Sequence, residues 1–317
     1  MRLSNILVFG DIIYDNYLFG NVDRLSPEAL VPIFQPCKEE FRLGGAANVF
    51  NNIIALGVKA ELCGIIGDDR EGMTIKTRLM DLNNTPELIV TDIYRPTSKK
   101  TRIIAGTHHL IRIDEEKLDE ISDEIELKIY DAINNNIESY DLLVISDYNK
   151  GLLKHSLVRK VIDLFVHRNK IVIADPKCDF FKYTDAYLIK PNINELSKFI
   201  DNHNIGNNLE SLYKYCQPLF SRGNFKYIYV TLGEKGGVLL NNNGIVQYVP
   251  AFGKKSVDIT GAGDTTFAAL AIAMAAKIDI IKAVNFASYV AGISVSKIGT
   301  ATVEATEIIS LLKENMI

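Results

Sequence analysis

The sequence predicts an α/β fold: a doubly wound, mostly parallel central sheet flanked by helices, with a small β-sheet lid. Three observations predict it. Short apolar runs of strand length, at residues 6–9, 142–145 and 171–174, are separated by longer helix-patterned segments, as in sheets whose strands are buried on both faces. These runs end in Asp11, Asp147 and Asp175, and ligands gather at the C-terminal edge of an open parallel sheet. Alternating stretches at 17–41 and 99–114 lack helical periodicity and fall outside that sheet.

In chain order, residues 6–9 make a first strand ended by Gly10-Asp11, which delivers Asp11 and Asp15 at its C-terminal edge. Residues 17–41 carry Pro27, Pro32 and Pro36 and read as irregular strands of the lid. Gly44-Gly45-Ala46-Ala47-Asn48 opens a helix that stops at Gly57. Residues 61–66 read as a second strand and 71–82 as a helix. Residues 99–106 and 108–114 pair around a short connection. The lid strands thus span about 12–43 and 97–115 of a single domain, 1–317. His108 and His109 are neighbours on a strand, so they face opposite ways, and no third ligand accompanies them. Lys100 and Arg102 share one strand face, where they either hold an anionic substrate group or form a solvated edge that discourages aggregation.

Residues 141–148 and 170–177 are the clearest buried strands, joined by a helix over 154–166. A right-handed crossover brings Asp147 with Lys150, and Asp175 with Lys177, to the same sheet edge. The strand at 187–189 turns at Lys190-Pro191 into a helix with Asn192 as N-cap and Glu195 in the first turn, by itself a plain capping arrangement. A strand at 226–232 carries Thr231, with Gly233 just beyond it, and a hairpin around Asn243-Gly244 makes an antiparallel margin. Helices at 281–296 and 303–312 flank the turn Lys297-Ile298-Gly299-Thr300.

The 317 residues are 47% hydrophobic, enough for a large core, and no linker, repeat or low-complexity tract divides them. With 35 basic and 39 acidic residues the net charge is -4, and no basic cluster interleaved with aromatics suggests nucleic acid. No apolar run reaches the roughly 20 residues of a membrane span, and the N-terminal apolar segment is too short for a signal peptide. Cys37, Cys63, Cys178 and Cys216 are scattered, as in a reduced, cytoplasmic protein.

The chemistry concentrates at Asp258-Ile259-Thr260-Gly261-Ala262-Gly263-Asp264, which leads into an alanine-rich helix expected to start near Gly263. The first amides of that helix need a partner, and the glycines let a ligand approach the backbone. The helix dipole favours an anion there, and a phosphate meets all three conditions. A carboxylate at Asp264 would be repelled by that phosphate unless it serves the other reactant, accepting a proton from an attacking hydroxyl. Taken alone, the motif reads more simply as a helix cap after a glycine turn. No Gly-x-x-x-x-Gly-Lys-[Ser/Thr] loop is present, which disfavours a P-loop enzyme.

These seven residues resemble the C-terminal signature Asp-Thr-Xaa-Gly-Ala-Gly-Asp of the PfkB, ribokinase-like carbohydrate kinases, with Ile259 in place of the usual Thr. Gly44-Gly45-Ala46-Ala47-Asn48 resembles the family's N-terminal Gly-Gly-Ala-Xaa-Asn, and the resemblance covers essentially the whole chain. It implies a ribokinase-like fold, with Asp264 as catalytic base and Gly261, Ala262 and Gly263 as the anion-holding amides. It implies sugar contacts at Asp15, Gly44, Gly45 and Asn48. Asn192 and Glu195 would lie near the ATP triphosphate, with Glu195 placing Mg2+ through water. Thr231 and Gly233 would line the nucleotide loop, and Ser288, where some relatives have Asn, would border adenine. A monovalent cation near Asp258 is left open.

Residues 23–32 (Asp-Arg-Leu-Ser-Pro-Glu-Ala-Leu-Val-Pro) and 146–151 (Ser-Asp-Tyr-Asn-Lys-Gly) are similar to the heptose-7-phosphate kinase branch. That similarity implies phosphorylation of the anomeric hydroxyl of D-glycero-β-D-manno-heptose 7-phosphate, on the way to ADP-heptose and lipopolysaccharide. Arg24, Lys100, Arg102, Lys150 and Lys177 are the candidates for holding the substrate's own phosphate, and Asp147 is placed with them on the substrate side. Many relatives carry a fused nucleotidyltransferase; this chain is expected to resemble the stand-alone kinase. Exposed lid edges lead to the expectation of a homodimer clasped through the lids. The alternatives are another PfkB kinase acting on ribose, a ketose or a nucleoside, and a catalytically silent nucleotide-binding regulator.

Overall fold

The computed structural model describes residues 5–201, 209–252, 260–297 and 302–314. The chain starts at β1 (Asn5–Gly10), whose side chains serve two cores at once. Ile6 and Val8 pack on one face, while Leu7 and Phe9 pack on the other, the alternation a strand imposes.

From β1 the chain leaves the main sheet at once. It runs through β2 (Ile12–Leu25) and β3 (Pro32–Gly45), enters α1 (Ala46–Ala55), and returns as β4 (Lys59–Gly67), α2 (Arg70–Asp81) and β5 (Ile89–Asp92). A second excursion, β6 (Lys99–Ala105) and β7 (His108–Glu115), is followed by α3 (Asp123–Asn136), β8 (Leu142–Ser146), α4 (His155–Val166) and β9 (Ile171–Asp175). Next come β10 (Leu188–Ile189), α5 (Ile193–Phe199), α6 (Leu209–Gly223), β11 (Tyr227–Thr231), β12 (Gly237–Asn241) and β13 (Gly244–Val249). Helices α7 (Ala262–Ala275), α8 (Ile280–Ser294) and α9 (Ala305–Glu314) complete the described elements.

Among the described residues the main sheet has nine strands, in the order β13-β12-β11-β10-β9-β8-β1-β4-β5. Strands β5, β4, β1, β8, β9, β10 and β11 are parallel, and β12 and β13 form the antiparallel margin. Buried residues of α1, α2, α7 and α8 cover one face, and those of α3, α4 and α6 the other. Helix α7 is apolar nearly all round, with Phe267, Leu270 and Ala271 fully buried, as a helix sandwiched between sheet and helices must be.

The lid is a four-stranded sheet, β3-β2-β6-β7. Its first two strands are not the irregular pieces expected: β2 and β3 are 14 residues each and pair antiparallel from Ile12–Gly45 to Leu25–Pro32, with bulges near Gly20 and Arg24. Regular pairing survives the prolines because Pro32 and Pro36 sit on β3, an edge strand whose outer side needs no N–H donors. Three elements went unread in the sequence: β5, α3 and α6. Helix α3 does carry a readable stripe, Ile125, Ile129 and Ile133, behind a Ser122 cap.

Candidate active site

Strand β1 has β8 on one side and β4 on the other, both parallel to it. The chain departs toward one side and later resumes on the other, so the C-terminal ends of β1 and β8 frame a topological switch point. Asp11 follows β1, Asp147 and Tyr148 follow β8, and Asp175 ends β9. The first turns of α1 and α7 meet beside this edge through Asn48 and Asp264.

Gly261 is the N-cap of α7 in a left-handed conformation, φ 80°, with no side-chain cap; only glycine takes this up readily. Among the described residues nothing lies within 4 Å of where a Cβ would stand on Gly263. Asp264 does not cap its own helix. Its Oδ2 accepts a hydrogen bond from Asn48 Nδ2 at 2.7 Å, and its Oδ1 accepts one from the Tyr148 hydroxyl at 2.5 Å. Asn48 is fixed in turn by Asn52, whose Nδ2 donates to Asn48 O (2.9 Å) and Oδ1 (3.1 Å). Burial raises the Asp264 carboxyl above its usual range; the two hydrogen bonds and Lys190 pull it back, and Asp15 adds to the rise.

Asp15 lies on the lid strand β2 rather than at the end of β1, yet it is 4% exposed and pairs with Arg102 at 2.5 Å. A Cβ on Gly44 would stand 2.3 Å from Asp15 Oδ2, so glycine there is what lets the carboxylate lie against the backbone. Gly45 is the N-cap of α1. Asp175 pairs with the buried Lys190 at 2.8 Å. Burial pushes the Asp175 carboxyl up to about 7, against the pull of Lys190 and with the help of Glu195. Burial and the neighbouring Asp147 push Asp11 to about 6.

The structure gathers some of the expected cations and separates others. Lys150 and Lys100 both approach Glu116, at 2.6 and 3.9 Å, and Lys100 reaches Asp114 at 3.2 Å. Arg102 joins them through the lid strand β6. Lys177 instead pairs with Glu195 at 2.8 Å, with its ammonium 5.8 Å from the centre of the Tyr148 ring. Arg24 is exposed near the far end of β2, about 30 Å along the strand from Asp15, so within one chain it does not join the group. Asp147 is also drawn away. Its carboxylate accepts from Lys182 (2.7 Å), from the Tyr183 hydroxyl and from Asn149 N (2.6 Å), which leaves it anchoring the β8 loop rather than facing a sugar.

On the other side of the crevice, Asn192 and Glu195 form a reciprocal capping box on α5, each bond 2.9 Å. Thr231 bridges to Asn192, and Gly233 has a left-handed φ of 62° with open space beside it. The Ser288 hydroxyl donates to Pro250 O at 2.8 Å. Asp258 and Ile259, with the cation expected near them, and Ile298, Gly299 and Thr300 lie outside the described residues. Sequence reasoning gave no role to Tyr148, Lys190 or Asp11. Lys190 did carry a signal, a lysine closing an apolar strand, and Tyr148 had one in its place within the Ser-Asp-Tyr-Asn-Lys-Gly segment. Among the described residues no three His, Cys, Asp or Glu side chains are grouped to hold a metal, and no helix is long and apolar enough to cross a membrane.

Comparison with known proteins agrees with this geometry. The profile described as "pfkB family carbohydrate kinase" matches residues 3–307. The chain is similar to the bifunctional protein HldE of Pelobacter propionicus, 36% identical over 98% of this chain and 63% of that protein. It is 38% identical to the bifunctional protein HldE of Helicobacter pylori strain HPAG1, over 98% of this chain and 67% of that protein. The chain thus spans about two thirds of the length of these curated relatives. Its fold matches a ribokinase from Thermotoga maritima with a TM-score of 0.74, covering 98% of this chain and 99% of that one at 21% identity. With a family match over nearly its full length and both glycine motifs converging on Asp264, the chain belongs to the pfkB family of carbohydrate kinases and is a sugar kinase of ribokinase-like fold.

Proposed function

We propose that this kinase transfers the γ-phosphoryl group of ATP to the anomeric hydroxyl of D-glycero-β-D-manno-heptose 7-phosphate, giving the 1,7-bisphosphate used for ADP-heptose and lipopolysaccharide synthesis. The observation that carries the chemistry is Asp264, buried, held at both oxygens, and seated in the first turn of a helix whose N-cap is a left-handed glycine. The likeness to the bifunctional HldE proteins and the segment at 23–32 support the choice of sugar.

In this reading Asp264 accepts the anomeric proton through a lone pair that neither Asn48 nor Tyr148 occupies. The amides of Gly261, Ala262 and Gly263 hold the charge that develops on the transferring group. Asp15, Gly44, Gly45 and Asn48 bind sugar hydroxyls. Lys100, Arg102 and Lys150 exchange carboxylate partners for the phosphate of the substrate. Lys177, paired with Glu195, belongs to the nucleotide side with Asn192, Thr231, Gly233 and Ser288. Both Glu195 oxygens already accept one hydrogen bond, from Lys177 and from Asn192 N. The lone pairs that remain suit water, and so an Mg2+ that keeps its waters and is held mainly by ATP phosphates. When bound, that ion would neutralise phosphate charge.

The lid supports a homodimer, with Leu30 91% and Ile111 57% exposed on it. In a clasped pair Arg24 would serve the partner's substrate. Light scattering should report a dimer, reduced to monomer by Leu30→Asp with Ile111→Asp; a wild-type monomer would refute the clasp. The substrate is tested by ADP release across phosphorylated and free sugars. Heptose 7-phosphate should be preferred over free heptose by orders of magnitude. Preference for ribose, fructose or a nucleoside would overturn the assignment, and no turnover with any sugar would favour a silent regulator.

A further inference from the structure

We propose that Tyr148 is a positioning residue for phosphoryl transfer: its hydroxyl, presented by the loop after β8, fixes the rotamer of Asp264 and keeps that carboxylate ionised for the incoming sugar hydroxyl. This rests on the reading of Asp264 as the base.

The tyrosine is itself rigidly held. Its amide donates to Asp11 Oδ2 at 2.8 Å, the Lys150 amide donates to the same oxygen at 3.2 Å, and the Asn149 amide donates to Asp147 Oδ1 at 2.6 Å. Asn149 is left-handed, φ 55°, a conformation asparagine tolerates better than most residues. Two buried carboxylates thus pin the turn that aims the phenol. On the opposite side Asn48 is pinned by Asn52. A carboxylate gripped at Oδ1 by Tyr148 and at Oδ2 by Asn48 cannot rotate, so the lone pairs left for a substrate have a fixed direction.

The surroundings of Asp264 do not favour ionisation by themselves, because burial is the largest influence on its carboxyl and raises it. Asp15 from the lid, Asp175 at the end of β9 and Lys190 beyond β10 all act on Asp264. The single ammonium among them is 2.8 Å from Asp175 and is shared with it. Burial, aided by Asp15, opposes the negative charge, and the hydrogen bonds from Tyr148 and Asn48, together with Lys190, act against it. The phenol stays a donor at working pH, because burial and Asp264 raise it well above its ordinary range. It therefore takes no proton from the sugar; it orients the group that does.

The experiment compares wild type, Tyr148→Phe, and a chain carrying 3-fluorotyrosine at 148, a more acidic phenol and stronger donor. ADP release is followed against pH with the sugar preferred in the screen. Tyr148→Phe should lower kcat about tenfold and move the acid limb of kcat/KM up by about one pH unit, the scale of one hydrogen bond to a charged group. KM for ATP should not change. The fluorinated chain should move the limb the other way. A merely structural role would lower thermal stability and leave the limb in place in both variants, which would overturn the proposal, as would a change confined to the KM for sugar. If Tyr148→Phe does not fold, the fluorinated chain alone decides. Asp264→Asn separates the two readings. Wild-type-like turnover in that variant would overturn the base assignment itself, whereas an inactive Asp264→Asn with unmoved limbs overturns only the role of Tyr148.

Discussion

Asn48 and Asp264 stand 216 positions apart in the chain and 2.7 Å apart in the fold, the amide Nδ2 donating to the carboxylate Oδ2. Each belongs to a different glycine motif at a helix N-terminus. The bond between them joins the first turns of α1 and α7, and both residues are buried.

Asp264→Asn keeps the shape and the Tyr148 partner but removes the carboxylate proposed as the base. Turnover should fall by roughly 10³-fold, while ATP binding by calorimetry stays near wild type. A fall in ATP affinity equal to the fall in rate would instead make Asp264 a nucleotide ligand.

Gly44→Ala tests the close approach of Asp15. The new methyl would meet Asp15 Oδ2 at 2.3 Å, so the carboxylate must move from the sugar side. A loss of about 1–3 kcal/mol in stability is expected, with a raised KM for sugar and an unchanged KM for ATP, read by denaturant unfolding and initial rates.

Lys150→Ala tests recognition of the substrate's own phosphate. The KM for the phosphorylated sugar should rise by about tenfold or more, the scale of a charge-assisted hydrogen bond, while the rate with free sugar is unaltered. Equal effects on both sugars would mean that Lys150 only braces Glu116, its partner at 2.6 Å.

Stability of the unliganded protein should fall as pH rises from about 5 to 8. Asp11 and Asp175 are raised to about 6 and about 7, above the value of about 3.9 they have in the unfolded chain. In that window the folded state binds more protons than the unfolded one, so stability is lost as pH rises through the folded pKa values. Carboxylates held low, such as Glu126 at about 2, are ionised in both states there and add no slope. Asp175→Asn should flatten the dependence of the denaturant midpoint on pH. An unchanged slope would show that Asp175 is ionised throughout.

The strand and helix alternation, the two glycine motifs, the antiparallel margin and the position of Asp264 were legible before any folding, because they are written in local periodicity and in residues with special backbone freedom. Helix α3 was equally legible in its Ile125, Ile129 and Ile133 stripe, though it went unassigned. Which polar groups meet was settled by the packed fold. It carried Asp15 onto the lid, turned Asp147 toward Lys182 and Tyr183, left Arg24 at the distant end of β2, and set the Tyr148 hydroxyl on Asp264. Tyr148 and Asp264 are 116 residues apart. Their contact depends on the packing of α7 against the sheet and on the pinned turn after β8, and neither leaves a periodic trace in the residues between them.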